Sequence, residues 1–227
     1  MVDYQEFRIV YEITSAVLCL ILVRFMIKPY RLTGESRYIG LPLGFGFLGA
    51  TYALSAFIYY QPHFFGTSTY YIQLIVRTFG FLFLCVTYYF SGKKMENTRW
   101  VWSATLAILI IAALSSIILV TLPEVLPTYS VAATYARFFN LVFIGYLCFH
   151  TLRSHLEKPC RDTLWIPLGY LFLAISQYSL IIYSLDSAQS AWWSALGIRW
   201  AGFAFFLYIA YKSFCSTKGR FNEENSS

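Results

Sequence analysis

Seven apolar runs, each near the ~20 residues that cross a bilayer as α-helix, govern what this chain can fold into. They cover roughly 9–27, 39–60, 70–90, 100–122, 129–150, 163–184 and 191–213. In hydrocarbon every backbone N–H and C=O needs a partner within the protein, and a helix supplies these within one segment. The expected fold is therefore all-α and integral to the membrane, with seven transmembrane helices. Composition agrees, because 12% of the 227 residues are charged against about a quarter in soluble domains.

The leading segment 1–8 is acidic and no small-residue cleavage site follows it, so the first run reads as a retained helix and not a signal peptide. Lys and Arg recur in alternate connections: Lys28, Arg31 and Arg37; Lys93, Lys94 and Arg99; Arg153, Lys158 and Arg161; and finally Lys212, Lys218 and Arg220. The intervening connections, 61–69, 123–128 and 186–190, contain neither. The positive-inside rule then puts the amino terminus outside and the carboxyl terminus in the cytoplasm, with the plasma membrane as the expected location. Of the 17 basic residues, four are left on the outer side and all are arginines: Arg8, Arg77, Arg137 and Arg199. The net charge of +6 is thus a topology signal, and nucleic acid, which needs a soluble basic face, is not an expected partner. Cys19, Cys85 and Cys148 fall in spans and Cys160 and Cys215 on the cytoplasmic side, so no disulfide is expected.

The chain repeats itself. Pro42-Leu43-Gly44-Phe45-Gly46-Phe47-Leu48-Gly49-Ala50-Thr51 returns as Pro167-Leu168-Gly169-Tyr170-Leu171-Phe172-Leu173-Ala174-Ile175-Ser176. Arg77-Thr78-Phe79-Gly80-Phe81-Leu82-Phe83 returns as Arg199-Trp200-Ala201-Gly202-Phe203-Ala204-Phe205, and Arg8, Cys19 and Arg24 align with Arg137, Cys148 and Arg153. These matches predict a 3+1+3 duplication: a three-helix repeat over 1–90, a linker helix over 100–122, a second repeat over 129–213 and a short cytoplasmic tail over 214–227. The linker span carries no charge and is expected to face lipid. In the second span, Gly46, Gly49, Ala50, Ala53 and Ala56 are expected to let a neighbouring backbone approach. The layout resembles that of the SWEET and semiSWEET sugar carriers, and of seven-helix receptors and opsins with three-helix repeats. That resemblance implies a binding site between the two units; the Pro42 and Pro167 segments lack the glutamine of a PQ-loop.

Arg77, Arg137 and Arg199 lie seven to ten residues past the outer ends of their runs, roughly 10–15 Å deep at 1.5 Å per residue. Intramembrane charges usually face protein or a water-filled cavity. Gln73 lies one turn before Arg77 and Asn140 nearly one turn after Arg137, while Gly202 is expected to leave room beside Arg199. The expected ligand-binding set is Arg77, Arg199, Arg137, Gln73, Asn140 and Gln177. Arg8 is instead expected to sit at the interface, paired with Glu12 one turn on. Guanidinium forks suit carboxylate or phosphate, so the expected ligand is a small anion or an amphiphile with an acidic head. Tyr59, Tyr60, Tyr70, Tyr71, Tyr135, Trp192 and Trp193 supply aromatic groups for the outer mouth or an interfacial belt.

No cofactor or metal is expected. Retinal needs a lysine near the middle of the seventh helix, where the nearest is Lys212. A membrane haem needs facing histidines, but His63, His150 and His155 lie outside the bundle centre. No nucleophile–base pair or metal-type cluster suggests an enzyme. Polar groups concentrate in the outer half, with mainly Thr87, Tyr88, Tyr208 and Tyr211 deeper. A blind outer pocket of this kind suits a sensor or receptor-like protein, its partners being membrane lipids, a small anionic ligand and a cytosolic or membrane signalling protein. The alternatives are a 3+1+3 transporter hinged at Pro42 and Pro167, and an accessory membrane subunit.

Overall fold

The chain is described by a computed structural model over residues 4–33, 39–61, 66–91, 98–120, 127–157, 159 and 163–224. These residues form seven α-helices: α1 (Tyr4–Thr33), α2 (Gly40–Tyr60), α3 (Thr67–Ser91), α4 (Thr98–Val120), α5 (Tyr129–Glu157), α6 (Trp165–Asp186) and α7 (Gln189–Glu224). All seven contain a stretch long and apolar enough to cross a membrane, and the described residues include no strand. Arg37, Lys93, Lys94, Glu124, Lys158, Cys160 and Arg161 lie outside the described residues.

Several helices outrun their apolar cores. Helix α1 begins at Tyr4, α5 continues to Glu157, and α7 runs 36 residues to Glu224, so residues 214–224, expected as a tail, prolong α7. Hydropathy marks only the segment hydrocarbon covers, whereas the i to i−4 ladder propagates into polar sequence wherever nothing breaks it. Pro42 and Pro167 are each the third residue of their helix. In a first turn the missing N–H has no intrahelical acceptor to lose, so neither proline interrupts a span.

Packing neighbours follow the circuit α1–α2–α3–α5–α6–α7 and back to α1, with α4 lying outside this ring on α3. Only 11% of the apolar window of α4 is buried, and Ile108, Ile111, Leu114 and Ile118 are exposed. Trp102 fastens it: this fully buried ring meets Phe90 of α3 at 5.5 Å between centroids. It also fills the space left by the absent side chain of Gly40.

Helices in lipid gain little from hiding apolar surface from one another, so close backbone contact has to hold them. At Gly80 of α3 a Cβ would sit 3.1 Å from Leu48 Cγ and 3.2 Å from the Gly44 carbonyl of α2. At Gly202 of α7 it would sit 3.1 Å from the Gly169 carbonyl and 3.3 Å from Leu173 Cγ of α6. Gly49 lets α1 approach at Cys19. Of the other small residues expected to pack in α2, Ala56 is buried, whereas Ala50 and Ala53 are exposed; the approach to α3 uses Gly44 instead. Gly202 accordingly serves helix packing and opens no space beside Arg199.

Ser187 ends α6 in the left-handed region at φ 54°, its N–H donating to the Tyr183 carbonyl at 2.9 Å. This is a helix-terminating cap, and it returns the chain into α7 within two residues. The interior of the ring is one cluster including Leu22, Phe45, Phe81, Leu84, Ile144, Leu147, Tyr170, Phe203 and Phe206. Its aromatic members meet edge to face, Phe45–Phe206 at 5.6 Å and Tyr170–Phe206 at 4.8 Å, the arrangement favoured by ring quadrupoles.

Candidate functional site

The cavity lies where α1, α3, α5 and α7 begin and α2 and α6 end. Its volume is about 200 Å³ and its lining includes Arg8 and Glu12 of α1, Ser55 and Tyr59 of α2, Tyr70, Gln73 and Arg77 of α3, Tyr129 and Arg137 of α5, Leu180 and Tyr183 of α6, and Trp192 and Arg199 of α7. Every ring helix contributes. In each of them the residues of the central apolar cluster lie to the same side of the cavity, so close-packed side chains floor it.

On α2, Tyr52 and Ser55 share a face at i, i+3 spacing and are 1% and 2% exposed. Ser55 Oγ donates to the Thr51 carbonyl at 2.8 Å and accepts from Gln73 Nε2 and, at 3.5 Å, from Arg77 Nη2. Gln73 and Arg77 reach the same hydroxyl because residues four apart are neighbours on a helix. The Arg77 guanidinium lies 5.1 Å from the centre of the Tyr52 ring, and the Arg199 guanidinium lies 4.4 Å from the same centre. One aromatic ring thus carries two cations, a contact worth about 2 kcal/mol or more when desolvated.

Arg199 Nη2 donates to Glu12 Oε1 at 3.1 Å, with side chains 3% and 8% exposed. Beside this pair, Trp200 Nε1 donates to Ser15 Oγ at 3.1 Å. Arg137 Nη1 donates to the Leu180 carbonyl at 2.8 Å, an oxygen that also accepts from Ser184 Oγ at 2.9 Å. Arg8 stacks 4.6 Å from the centre of the Trp192 ring and 5.9 Å from that of Tyr59. Tyr70 and Tyr71 meet Tyr129 at 5.6 and 5.8 Å, and Tyr71 Oη donates to the Pro127 carbonyl at 2.6 Å.

Among the described residues, Nε of Arg8, Arg77, Arg137 and Arg199 and Oε2 of Glu12 are buried without a hydrogen-bond partner. Placing an arginine at mid-membrane costs roughly 2.5–3.5 kcal/mol even on the mildest scales. Four in one cavity are matched there by one acid. What the arrangement can do chemically is donate hydrogen bonds to negative charge, since guanidinium has donors and no acceptor.

Of the residues singled out from sequence, Arg77, Arg137, Arg199 and Gln73 line this cavity together. Asn140 and Gln177 do not. They are 1% and 2% exposed, each with a side-chain carbonyl oxygen lacking a partner among the described residues, and each lies three residues beyond the Arg137–Leu180 contact, away from the cavity. Tyr59, Tyr70 and Trp192 belong to the lining, whereas Tyr60 and Tyr135 point outward at 66% and 63% exposure.

The expected Arg8–Glu12 pairing gives way to Glu12–Arg199, because ring closure brings α7 against α1 and offers Glu12 a fully buried cation. Arg8, assigned to the interface, lines the cavity. Tyr52 and Ser55 were not anticipated, although extending the expected match of 42–51 with 167–176 by one residue aligns Tyr52 with Gln177, itself singled out from sequence. No protein family, curated protein or solved structure matches the chain.

Proposed function

We propose that this protein is a sensor or receptor-like protein of the plasma membrane that binds a small anion, or the acidic head of an amphiphile, in the arginine-lined cavity. The observation that carries the reading is the gathering of all four outer arginines around one cavity containing a single acid. The amino terminus lies outside, so the cavity faces the exterior and signals pass to a separate cytosolic or membrane partner. The apolar cluster beneath the cavity supports a blind pocket over a through-path. A bound anion draws on guanidiniums from both three-helix units and so favours one packing of α1–α3 against α5–α7 over another.

The two units descend from a duplication. In support, the neighbour order maps onto itself: α1–α2–α3 onto α5–α6–α7, and α3–α5 onto α7–α1. The Gly44–Gly80 approach likewise has its counterpart in Gly169–Gly202. The same symmetry favours a second reading, a 3+1+3 carrier. Reconstituted protein separates the two: equilibrium binding of labelled small anions without accumulation inside proteoliposomes is expected. Uptake abolished by Arg77→Gln or Arg199→Gln would replace the sensor with the carrier.

A further inference from the structure

The cavity chemistry narrows the ligand further, on the premise that the cavity is an anion site. We infer that it is built for a tetrahedral oxyanion of charge near −2, a phosphate or phosphate monoester, in preference to a monocarboxylate.

Charge is the first argument. Glu12 pairs with Arg199 at 3.1 Å, which leaves Arg8, Arg77 and Arg137 with no carboxylate among the cavity residues. A monoanion answers one of these three charges; a dianion answers two and lowers the cost of holding the rest in a membrane. Geometry is the second. A carboxylate is planar and one guanidinium fork satisfies both its oxygens. Here the three unmatched guanidiniums stand on three different helices, α1, α3 and α5, so donors surround the cavity, and a tetrahedral group presents oxygens in several directions at once. Their buried Nε atoms lack partners among the described residues. Size is the third. At about 200 Å³ the cavity is below the ~300–1,000 Å³ of sites for drug-sized ligands, which suits a compact head group.

Titration calorimetry on the unaltered chain in phosphatidylcholine nanodiscs tests this without relying on any variant to fold. Phosphate, glycerol phosphate and sulfate are expected to bind roughly ten-fold or more tightly than acetate or succinate. Acetate binding as tightly as sulfate would overturn the charge argument, and succinate doing so would overturn the tetrahedral one, with the anion reading intact in both cases. Failure of every anion to bind would remove the anion reading itself. Repeating the titration with phosphatidic acid in the discs identifies the source of the oxyanion. Competition assigns the site to a lipid phosphate and unchanged binding assigns it to a soluble one, each in keeping with a tetrahedral dianion.

Discussion

Glu12 and Arg199, 187 residues apart in sequence, form a buried ion pair that ties the first helix of the ring to the last. The pair gives α1 and α7 a polar contact at cavity depth, and Trp200 with Ser15 adds a second beside it. It also sets the electrostatic character of the cavity by removing one of its four positive charges from play.

Replacing Glu12 alone leaves a buried guanidinium without its carboxylate. Glu12→Leu is expected to destabilise by about 3–5 kcal/mol, and the double variant with Arg199→Met to recover most of that loss. Reversible unfolding in mixed micelles reads both. If the single and double variants are equally unstable, the pair is not what holds Glu12.

Tyr52 offers its ring, and not its hydroxyl, to Arg77 and Arg199. Tyr52→Phe is therefore expected to be nearly neutral, and Tyr52→Leu to cost about 2 kcal/mol or more from the lost cation–π contacts. The same unfolding assay applies, and a large loss in Tyr52→Phe would shift the role to the hydroxyl.

Arg77→Gln removes a charge-assisted donor, typically worth about 1.5–3 kcal/mol, so anion affinity should fall roughly ten-fold or more. Tyr60→Ala, an exposed residue outside the cavity, should leave it unchanged. Calorimetry on both variants checks this, with unfolding midpoints measured alongside to separate affinity from stability.

The glycine contacts make a sharper structural test. Gly169→Ala and Gly202→Ala should each cost about 1–3 kcal/mol through overpacking, because a Cβ at either position would meet a neighbour at 2.8 and 3.1 Å. Gly145→Ala, with nothing within 4 Å, should be neutral or stabilising by up to about 1 kcal/mol. Equal costs at all three would mean that the helices do not approach through these glycines.

Orientation has its own experiment. A membrane-impermeant thiol reagent added to intact cells should label Ser190→Cys, at the exposed start of α7, and should not label Arg153→Cys. The reverse pattern would invert the chain in the membrane and turn the cavity toward the cytoplasm.

The seven helices were legible because length and apolarity alone demand them. Arg77, Arg137 and Arg199 were legible because a charge within an apolar run is costly, and Gln73 because it lies one turn before Arg77. The partner of Glu12 was not: local i, i+4 spacing pointed to Arg8, and only closure of the ring sets Arg199 in competition for it. Tyr52 and Ser55 are not legible in the sequence for a related reason. An aromatic ring and a hydroxyl within an apolar helix announce no chemistry until the cations they contact are in place.

Glycines bring backbones together at α1–α2, α2–α3 and α6–α7, whereas among the described residues the α1–α7 and α3–α5 contacts include no such approach and carry side-chain links. Along α1 and α7 the fasteners are Glu12–Arg199 and Ser15–Trp200; along α3 and α5 they are Tyr71 to the Pro127 carbonyl and Cys85 Sγ to the Phe143 carbonyl. The helix ring therefore has two joints, α1–α7 and α3–α5, without a close glycine approach among the described residues, and the arginine cavity lies at one end of both.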